Sequence, residues 1–283
     1  MTHNLPLTPP PVIAAVHDLS GFGRCAETVI QPTLSSLGAQ VCPLPTAMLS
    51  THTGGYSGFT FLDLSNEMDG IIAHWKALGI RFDAVYSGFL ANASQIEKVL
   101  CFVENCREQN PDCLFFADPV MGDDGRRYAT YTDELCRLTR SLTERADVIT
   151  PNVTEACLLL DIPYQPDFSD EETAELLEQL GRHTPTVVIT GLHKDDRIGA
   201  AYRDKDGRRG AYFTPRDPHN YPGTGDIFAS VVLGLLLRQT PLADAVRSAC
   251  DFVHDAAAFT TSLGTPVREG LAFEPLLHQL TAL

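Results

Sequence analysis

The sequence predicts an α/β protein: a single three-layer domain with a central, largely parallel sheet and helices on both faces. Short apolar stretches typical of strands alternate with stretches of helical periodicity along most of the chain. A hairpin and a run of helices complete it, and no composition break or repeat marks a second domain. The chain has 283 residues, 44% hydrophobic and 20% charged, enough to bury one large core. We assign residues 1–11 to a flexible tail and residues 12–283 to the domain.

The strands of the sheet are predicted from short runs of apolar and β-branched residues. They cover residues 12–16, 39–44, 84–87, 114–117, 148–150 and 186–190. The helices between them follow a glycine-rich turn at 21–23 or begin at capping residues such as Ser65, Asn92, Thr132 and Ser169. The five predicted helices end near residues 37, 78, 109, 144 and 181. Ser169 with Glu172 forms a capping-box pattern at the start of the last one. The polar stretch 46–58 is predicted to be a loop.

The last third of the chain contains a hairpin signal and three helices. Strands at 198–203 and 210–214 flank the turn sequence Asp204-Lys205-Asp206-Gly207. Helical patterns then cover 227–238 and 241–262, and a last short helix starts near Pro275.

Composition and charge exclude several classes of protein. The formal net charge of −15 disfavours nucleic acid or an anionic membrane as a partner. The N-terminus has neither the basic nor the apolar segment of a secretory signal, and no apolar run is long enough to span a membrane. The eight cysteines include no CxxC pair, and the nine histidines show no metal-ligand spacing. We therefore expect reduced thiols and a cytoplasmic location.

Polar residues and glycines cluster after the predicted strands. In a parallel sheet the carboxyl ends of the strands share one rim, where ligands bind. The positions placed there are 17–23, 46, 88–89, 118–119, 150–152 and 190–191.

Gly223-Thr224-Gly225-Asp226 precedes an apolar helical run. Unpaired N–H groups at a helix N-terminus favour anions, and the glycines would let a phosphate approach closely. Asp226 then supplies a carboxylate beside the anion hole. The alternative is an ordinary helix start with Thr224 or Asp226 as the N-cap.

Two acidic loops lie on the same predicted rim. Asp118 and Asp123 follow one strand and are spaced to serve a hydrated Mg²⁺, although a simple turn fits equally well. Asn152 and Glu155 follow another strand and face the same rim, or only cap the next helix.

Gly21, Gly23 and Ala26 imitate a dinucleotide-binding fingerprint, but the second strand ends without the carboxylate that binds the ribose. A substrate loop presenting Asp18 and Ser20 fits better. The segment 46–56, with His52, is either a lid or an ordinary loop, and no Walker-type phosphate loop is present.

Taken in order, these motifs resemble the ribokinase-like superfamily, and within it the pyridoxal kinases. The resemblance extends from residue 12 to about 263. The segments that carry it are 45–53, 87–96, 118–123, 150–155 and 223–226. It implies transfer of the ATP γ-phosphate to the hydroxymethyl group of pyridoxal, pyridoxine or pyridoxamine, in pyridoxal phosphate salvage.

The resemblance also implies roles for individual residues. Asp226 is the base, and the amides of 223–225 steady the transferring phosphate. Nucleotide binding falls to Asp118, Thr150, Asn152, Glu155, Thr190 and Thr224, and Mg²⁺ to Asp118, Asp123 and Glu155. Substrate contacts fall to Asp18, Ser20, Thr46, Phe89 and Asp226. The family often binds a monovalent cation such as K⁺ and usually forms homodimers.

Two departures from the pyridoxal kinase pattern leave the substrate open. His17-Asp18-Leu19-Ser20-Gly21 is more similar to hydroxymethylpyrimidine kinases of thiamine synthesis, and Phe89 replaces the usual Tyr. The alternatives, in order, are a hydroxymethylpyrimidine kinase and a sugar kinase. A non-catalytic ligand-binding relative and an NAD-dependent oxidoreductase come from other classes.

Overall fold

A computed structural model of the chain describes residues 9–128 and 131–283. Most of the predicted tail therefore lies outside the described residues. The strands of the first half are β1 (Val12–Val16), β2 (Leu19–Phe22), β3 (Gln40–Pro43), β4 (Ala47–Thr51), β5 (Phe61–Asp63), β6 (Ala84–Ser87) and β7 (Leu114–Ala117). Those that follow are β8 (Gly122–Asp123), β9 (Arg126–Arg127), β10 (Val148–Ile149), β11 (Thr186–Lys194), β12 (Arg197–Arg203) and β13 (Arg209–Pro215).

The helices alternate with these strands. They are α1 (Glu27–Ser36), α2 (Ser65–Ala77), α3 (Ala93–Gln109), α4 (Asp133–Thr143), α5 (Val153–Leu160), α6 (Asp170–Leu180), α7 (Thr224–Leu237), α8 (Leu242–Leu263) and α9 (Leu277–Leu280). Short 3₁₀ turns occupy Val267–Glu269 and Glu274–Leu276. No helix among the described residues is long and apolar enough to cross a membrane.

An eight-stranded sheet in the order β13-β12-β11-β10-β7-β6-β1-β3 forms the centre of the fold. Its strands are parallel from β3 to β11, and the β11–β12 and β12–β13 pairs are antiparallel. Successive residues of β1 enter opposite core layers: Ile13 packs with α1, α7 and α8, whereas Ala14 packs with α2 to α6. The predicted three-layer α/β architecture is confirmed.

A second, three-stranded sheet in the order β2-β4-β5 corrects two predictions. Leu19–Phe22 is a strand rather than part of a turn, and the predicted loop 46–58 contains strand β4. Leu19 pairs with Met48, which in turn pairs with Leu62. The sheet is exposed on one face, so β4 alternates buried and exposed residues and appears polar in sequence.

Most helix boundaries agree with the predicted capping residues. Side chains of Asn92, Thr132 and Asn152 each accept a bond from the backbone three residues later. The capping box of Ser169 and Glu172 is present. Ser65 does not cap α2, however, since it is the first helical residue and its amide donates to Asp63 instead.

Candidate active site

The N-terminus of α7 is open to an anion. Its N-cap is Gly223, with φ of +79°, and no side chain of the described part of the chain caps it. The predicted alternative, Thr224 or Asp226 as N-cap, is therefore wrong; the Thr224 hydroxyl donates back to the Tyr221 carbonyl over 3.2 Å. A Cβ on Gly223 would lie 2.2 Å from the Arg24 carbonyl oxygen. Only glycine fits, and the first amides of the helix stay available.

The carboxylate of Asp226 lies in the first turn of α7. Its Oδ2 accepts a hydrogen bond from the Ala26 amide at 2.8 Å and one from the Cys25 thiol at 3.4 Å. Burial and, less strongly, the nearby Asp18 raise the pKa of Asp226 to about 6 against the opposing effect of the two donors. Oδ2 is thus fixed by two donors, while no hydrogen bond within the described residues engages Oδ1.

Asp18 follows β1 and contacts Ser20, which lies in β2 rather than in a loop. The Ser20 hydroxyl donates to Asp18 Oδ2 over 2.8 Å, and both side chains are buried. Burial raises the pKa of Asp18, and the Ser20 bond lowers it. Beside them, burial lowers the pKa of His17 to about 3, so its ring is neutral. A Cβ on Gly88 would lie 2.3 Å from that ring, which explains the glycine.

Thr46 and Phe89 lie together on the same side. The Thr46 hydroxyl donates to the backbone carbonyl of Phe89 over 3.2 Å. Gln95, fully buried, donates to the Thr46 carbonyl over 2.9 Å and accepts from the Ala91 amide over 2.8 Å. Gln95 therefore fixes the backbone at Thr46 and Ala91, a role that its position in the first turn of α3 does not indicate.

Asp118 lies against the anion hole from the other side. A Cβ on Gly225 would lie 4.0 Å from Asp118 Oδ2. Burial and the neighbouring Asp226 raise the pKa of Asp118 to about 8, and the Thr150 hydroxyl opposes the shift. Asp118 and Asp226 therefore lie beside the same glycine-rich helix start.

Asn152 and Glu155 organise the turn that follows Asp118. Glu155 accepts from the Met121 amide at 3.0 Å and from the Asn152 amide at 2.8 Å, and the Asn152 side chain donates to the Gly122 carbonyl over 2.8 Å. Thr190 pairs with Asn152 through an isolated bridge. Asn152 and Glu155 thus both cap helix α5 and hold the turn that follows Asp118.

The three predicted metal residues are not gathered into one cluster. Within residues 9–128 and 131–283, no three histidine, cysteine or acidic side chains are placed to hold a metal ion. Asp123 is exposed, and its carboxylate accepts the amide of Asp124 over 2.9 Å.

The segment 46–58 is tied to the rest of the fold by strand β4 and by His52. His52 is buried; its Nδ1 accepts the Gly54 amide at 3.1 Å, so Nε2 carries the proton and donates to the Arg268 carbonyl over 2.7 Å. Sequence reasoning also missed Cys25, Ala26 and the buried Glu27. These lie about 200 residues from Asp226 in the chain, and only the neighbouring glycines marked the segment.

Comparison with known proteins agrees with this geometry. The family model for phosphomethylpyrimidine kinase matches residues 32–269. A pyridoxal kinase of Paraburkholderia phymatum is 31% identical over 252 residues, 84% of this chain and 82% of the relative. A protein from Bacteroides thetaiotaomicron, described as a phosphomethylpyrimidine kinase and crystallised with pyridoxal, superposes with a TM-score of 0.91 at 44% identity, covering 96% of each chain. The pyridoxal kinase of Leishmania donovani, solved with ADP and pyridoxamine, gives 0.86 at 26% identity, covering 95% of each chain.

Fold and site together define a small-molecule kinase of the ribokinase-like class. The chain belongs to the phosphomethylpyrimidine kinase family, among whose members it is similar to the pyridoxal kinases.

Proposed function

We propose that this protein transfers the γ-phosphate of ATP to the hydroxymethyl group of a B6 vitamer: pyridoxal, pyridoxine or pyridoxamine. One observation carries the proposal. The uncapped, glycine-lined start of α7 places an anion hole between two buried carboxylates, Asp226 and Asp118. The solved relatives bound to pyridoxal, or to ADP and pyridoxamine, support the same pair of ligands.

In the proposed reaction the alcohol oxygen attacks the γ-phosphorus, its proton passes to Asp226, and the bond to the β–γ bridging oxygen breaks to release ADP. The Ala26 amide and the Cys25 thiol hold Oδ2, so Oδ1 faces the alcohol. The amides at 223–225 stabilise the charge on the transferring group. Thr224 lies among these amides and serves the same phosphate.

Mg²⁺ fits the site through Asp118. Burial and Asp226 both oppose the ionised form of Asp118, and a divalent cation would offset both. Bound to ATP, Mg²⁺ supplies charge neutralisation at the phosphates, and one or two carboxylates suffice to hold it. Glu155, which holds the turn after Asp118 through two amides, and the exposed Asp123 would serve the ion and its phosphates through water.

The remaining rim residues complete the nucleotide side. Thr150 and Asn152 follow β10, and Thr190 lies beside Asn152 within the neighbouring strand β11, so we assign all three to the nucleotide side. A monovalent cation such as K⁺ belongs to this side by family resemblance. Replacing K⁺ with choline in the assay should lower turnover if it does.

The substrate side is assigned to Asp18, Ser20, Thr46 and Phe89. The buried Asp18 carboxyl, held by Ser20, is suited to a protonated ring nitrogen or an amine. Thr46 lies against the pyridine ring, and Phe89 supplies apolar surface next to it.

Phosphorylation of hydroxymethylpyrimidine is the second candidate, favoured by the family model that matches most of the chain. Both substrates are aromatic nitrogen rings with a hydroxymethyl group, and the same base would serve either.

An ATP-consumption panel with pyridoxal, pyridoxine, pyridoxamine, hydroxymethylpyrimidine and ribose separates these candidates. We expect turnover with the pyridine alcohols that stops when EDTA removes Mg²⁺ and returns when it is restored. Turnover with hydroxymethylpyrimidine alone would establish the second candidate. Activity with ribose alone would contradict both.

We also propose a homodimer that operates in the cytoplasm. The three-stranded sheet exposes Phe22, Met48, Phe61 and Leu62, each about half exposed. Met48 and Leu62 are register partners and share one face of this sheet, and paired exposed apolar side chains are typical of a protein interface. Leu62→Lys should therefore reduce the sedimentation coefficient to that of a monomer. The control Leu78→Lys, on an equally exposed leucine after α2, should leave it unchanged.

A further inference from the structure

We propose that Cys25 and Ala26 form a donor pair that positions the catalytic carboxylate of Asp226. The inference rests on the proposed function, since it takes Asp226 as the base. The Ala26 amide and the Cys25 thiol both reach the same oxygen, Oδ2, at 2.8 Å and 3.4 Å. A carboxylate bonded twice on one oxygen has one orientation, which leaves the other oxygen for the substrate alcohol.

The backbone at Ala26 is bent into this position at a cost. Its φ of +51° with ψ of −133° is a conformation that L-residues rarely adopt. Such strain persists only where neighbouring structure enforces it, and it concentrates at functional sites. Here the bend points the Ala26 amide at Asp226 instead of into helix α1, whose first residue is Glu27.

Contacts from three other parts of the chain hold the bend. The Arg24 amide donates to the Glu269 carbonyl over 3.0 Å, and the Arg24 guanidinium pairs with Glu274 at 2.6 Å. The Arg24 carbonyl fills the space that a Cβ on Gly223 or Gly270 would need, at 2.2 Å and 2.6 Å. The segment is thus fixed between the C-terminal turn and the start of α7.

The Cys25 thiol is a donor in this setting. Burial and the carboxylates of Asp226 and Asp18 raise its pKa well above the usual range, so it stays protonated at neutral pH. The Thr28 hydroxyl accepts from the Cys25 amide and donates to the Cys25 carbonyl, which fixes the residue from the α1 side. The S–H group can therefore point only where an acceptor is available, and that acceptor is Asp226 Oδ2.

Loss of the Cys25 donor should lower the catalytic rate while ATP still binds. We expect Cys25→Ala to lower kcat about three- to tenfold, the range of a single net hydrogen bond, with little change in the KM for ATP. The acidic limb of the kcat/KM profile should move to higher pH, because the ionised carboxylate has lost a donor. Asp18, Asp118, Glu27, Tyr86 and Cys25 are titratable groups around Asp226, so the profile is measured against Asp118→Asn as well.

Three control variants separate positioning from packing. Cys25→Ser restores a donor and should recover most of kcat, whereas a purely structural role would not follow the hydroxyl. Cys101→Ala removes an exposed thiol in α3 and should change neither kcat nor the pH profile. Ala26→Pro removes the N–H and also forces φ away from +51°, so it should fall further than Cys25→Ala.

A reciprocal measurement does not use activity. Asp226→Asn removes the charge that raises the thiol pKa, so alkylation of Cys25 by iodoacetamide, followed by peptide mass spectrometry, should become several-fold faster than in wild type. The rate at Cys101 serves as the internal reference.

The inference is overturned if Cys25→Ala matches wild type in both kcat and pH profile, or if alkylation is unchanged in Asp226→Asn. Wild-type turnover on the substrate panel tests the proposed function separately. If only hydroxymethylpyrimidine is phosphorylated, the same variants are compared on that substrate. If Ala26→Pro does not fold, the Cys25 variants alone decide.

Discussion

Gly223→Ala should damage both stability and catalysis, and the structure gives the size of each effect. The added Cβ would stand 2.2 Å from the Arg24 carbonyl oxygen, whereas real Cβ contacts stay beyond 3.0 Å. The backbone must therefore move by roughly 1 Å, a displacement that can cost about 10²-fold in rate at a reacting centre. The left-handed φ of +79° adds about 1–2 kcal/mol for an alanine, and overpacking adds about 1–3 kcal/mol.

A matched control isolates the effect of the contact. Gly264 also has positive φ, at +65°, but nothing lies within 4 Å of its missing Cβ. Gly264→Ala should lose only the left-handed preference, about 1–2 kcal/mol, and keep wild-type kcat. Urea unfolding measures the free energy of unfolding, and an assay coupled to ADP release measures kcat. Equal kcat values for the two variants would refute the claim that Gly223 shapes the anion hole.

Three further predictions concern charge and buried polar groups. Activity should fall as the pH drops below about 6, because protonated Asp226 cannot accept a proton; a flat kcat/KM profile from pH 5 to 8 would contradict this. Burial raises the pKa of Glu27 from 4.5 to about 8, so between these pH values the folded protein keeps Glu27 protonated while the unfolded chain ionises it. The unfolding free energy therefore falls as the pH rises, and Glu27→Gln should flatten that fall by up to about 1.4 kcal/mol per pH unit. An unchanged slope in urea unfolding at pH 5, 6.5 and 8 would exclude Glu27 as its source. Gln95→Leu leaves the Ala91 amide without its side-chain acceptor and the Thr46 carbonyl without one of its donors. The variant should lose about 1–3 kcal/mol of unfolding free energy in thermal unfolding and have a higher KM for the substrate. An unchanged KM would show that Gln95 does not support substrate binding at Thr46.

Local sequence patterns were sufficient for the main sheet and most helices. Buried parallel strands such as Ala84–Ser87 are continuous runs without exposed positions, which indicates a strand buried on both faces. The capping residues Asn152 and Ser169 indicate where helices α5 and α6 begin. Strand β4 was missed because half of its residues face outward and its partners, Leu19 and Leu62, are distant in sequence. Such pairings depend on the tertiary fold, which no short window contains.

The same distinction applies to the candidate site. Rim position predicted that Asp118, Thr150 and Asn152 would share one edge of the sheet, because parallel strand ends lie together, whereas Asp226 was singled out by the glycine-rich helix start. The donors to Asp226 were not predictable, since the contact with Ala26 joins residues 200 positions apart and depends on an unusual backbone at an ordinary alanine. Glu27 likewise had the sequence context of a common first-turn acid, and only the fold reveals its burial.

The most direct test of the central claim is product analysis with pyridoxal, ATP and Mg²⁺, comparing wild type with Asp226→Asn. We predict one equivalent of pyridoxal 5′-phosphate per ADP from the wild-type protein. The folded Asp226→Asn variant should be slower by about 10²–10⁴-fold while still binding ADP. Absence of phosphorylated pyridine product from wild type, or near-normal turnover by Asp226→Asn, would contradict the account.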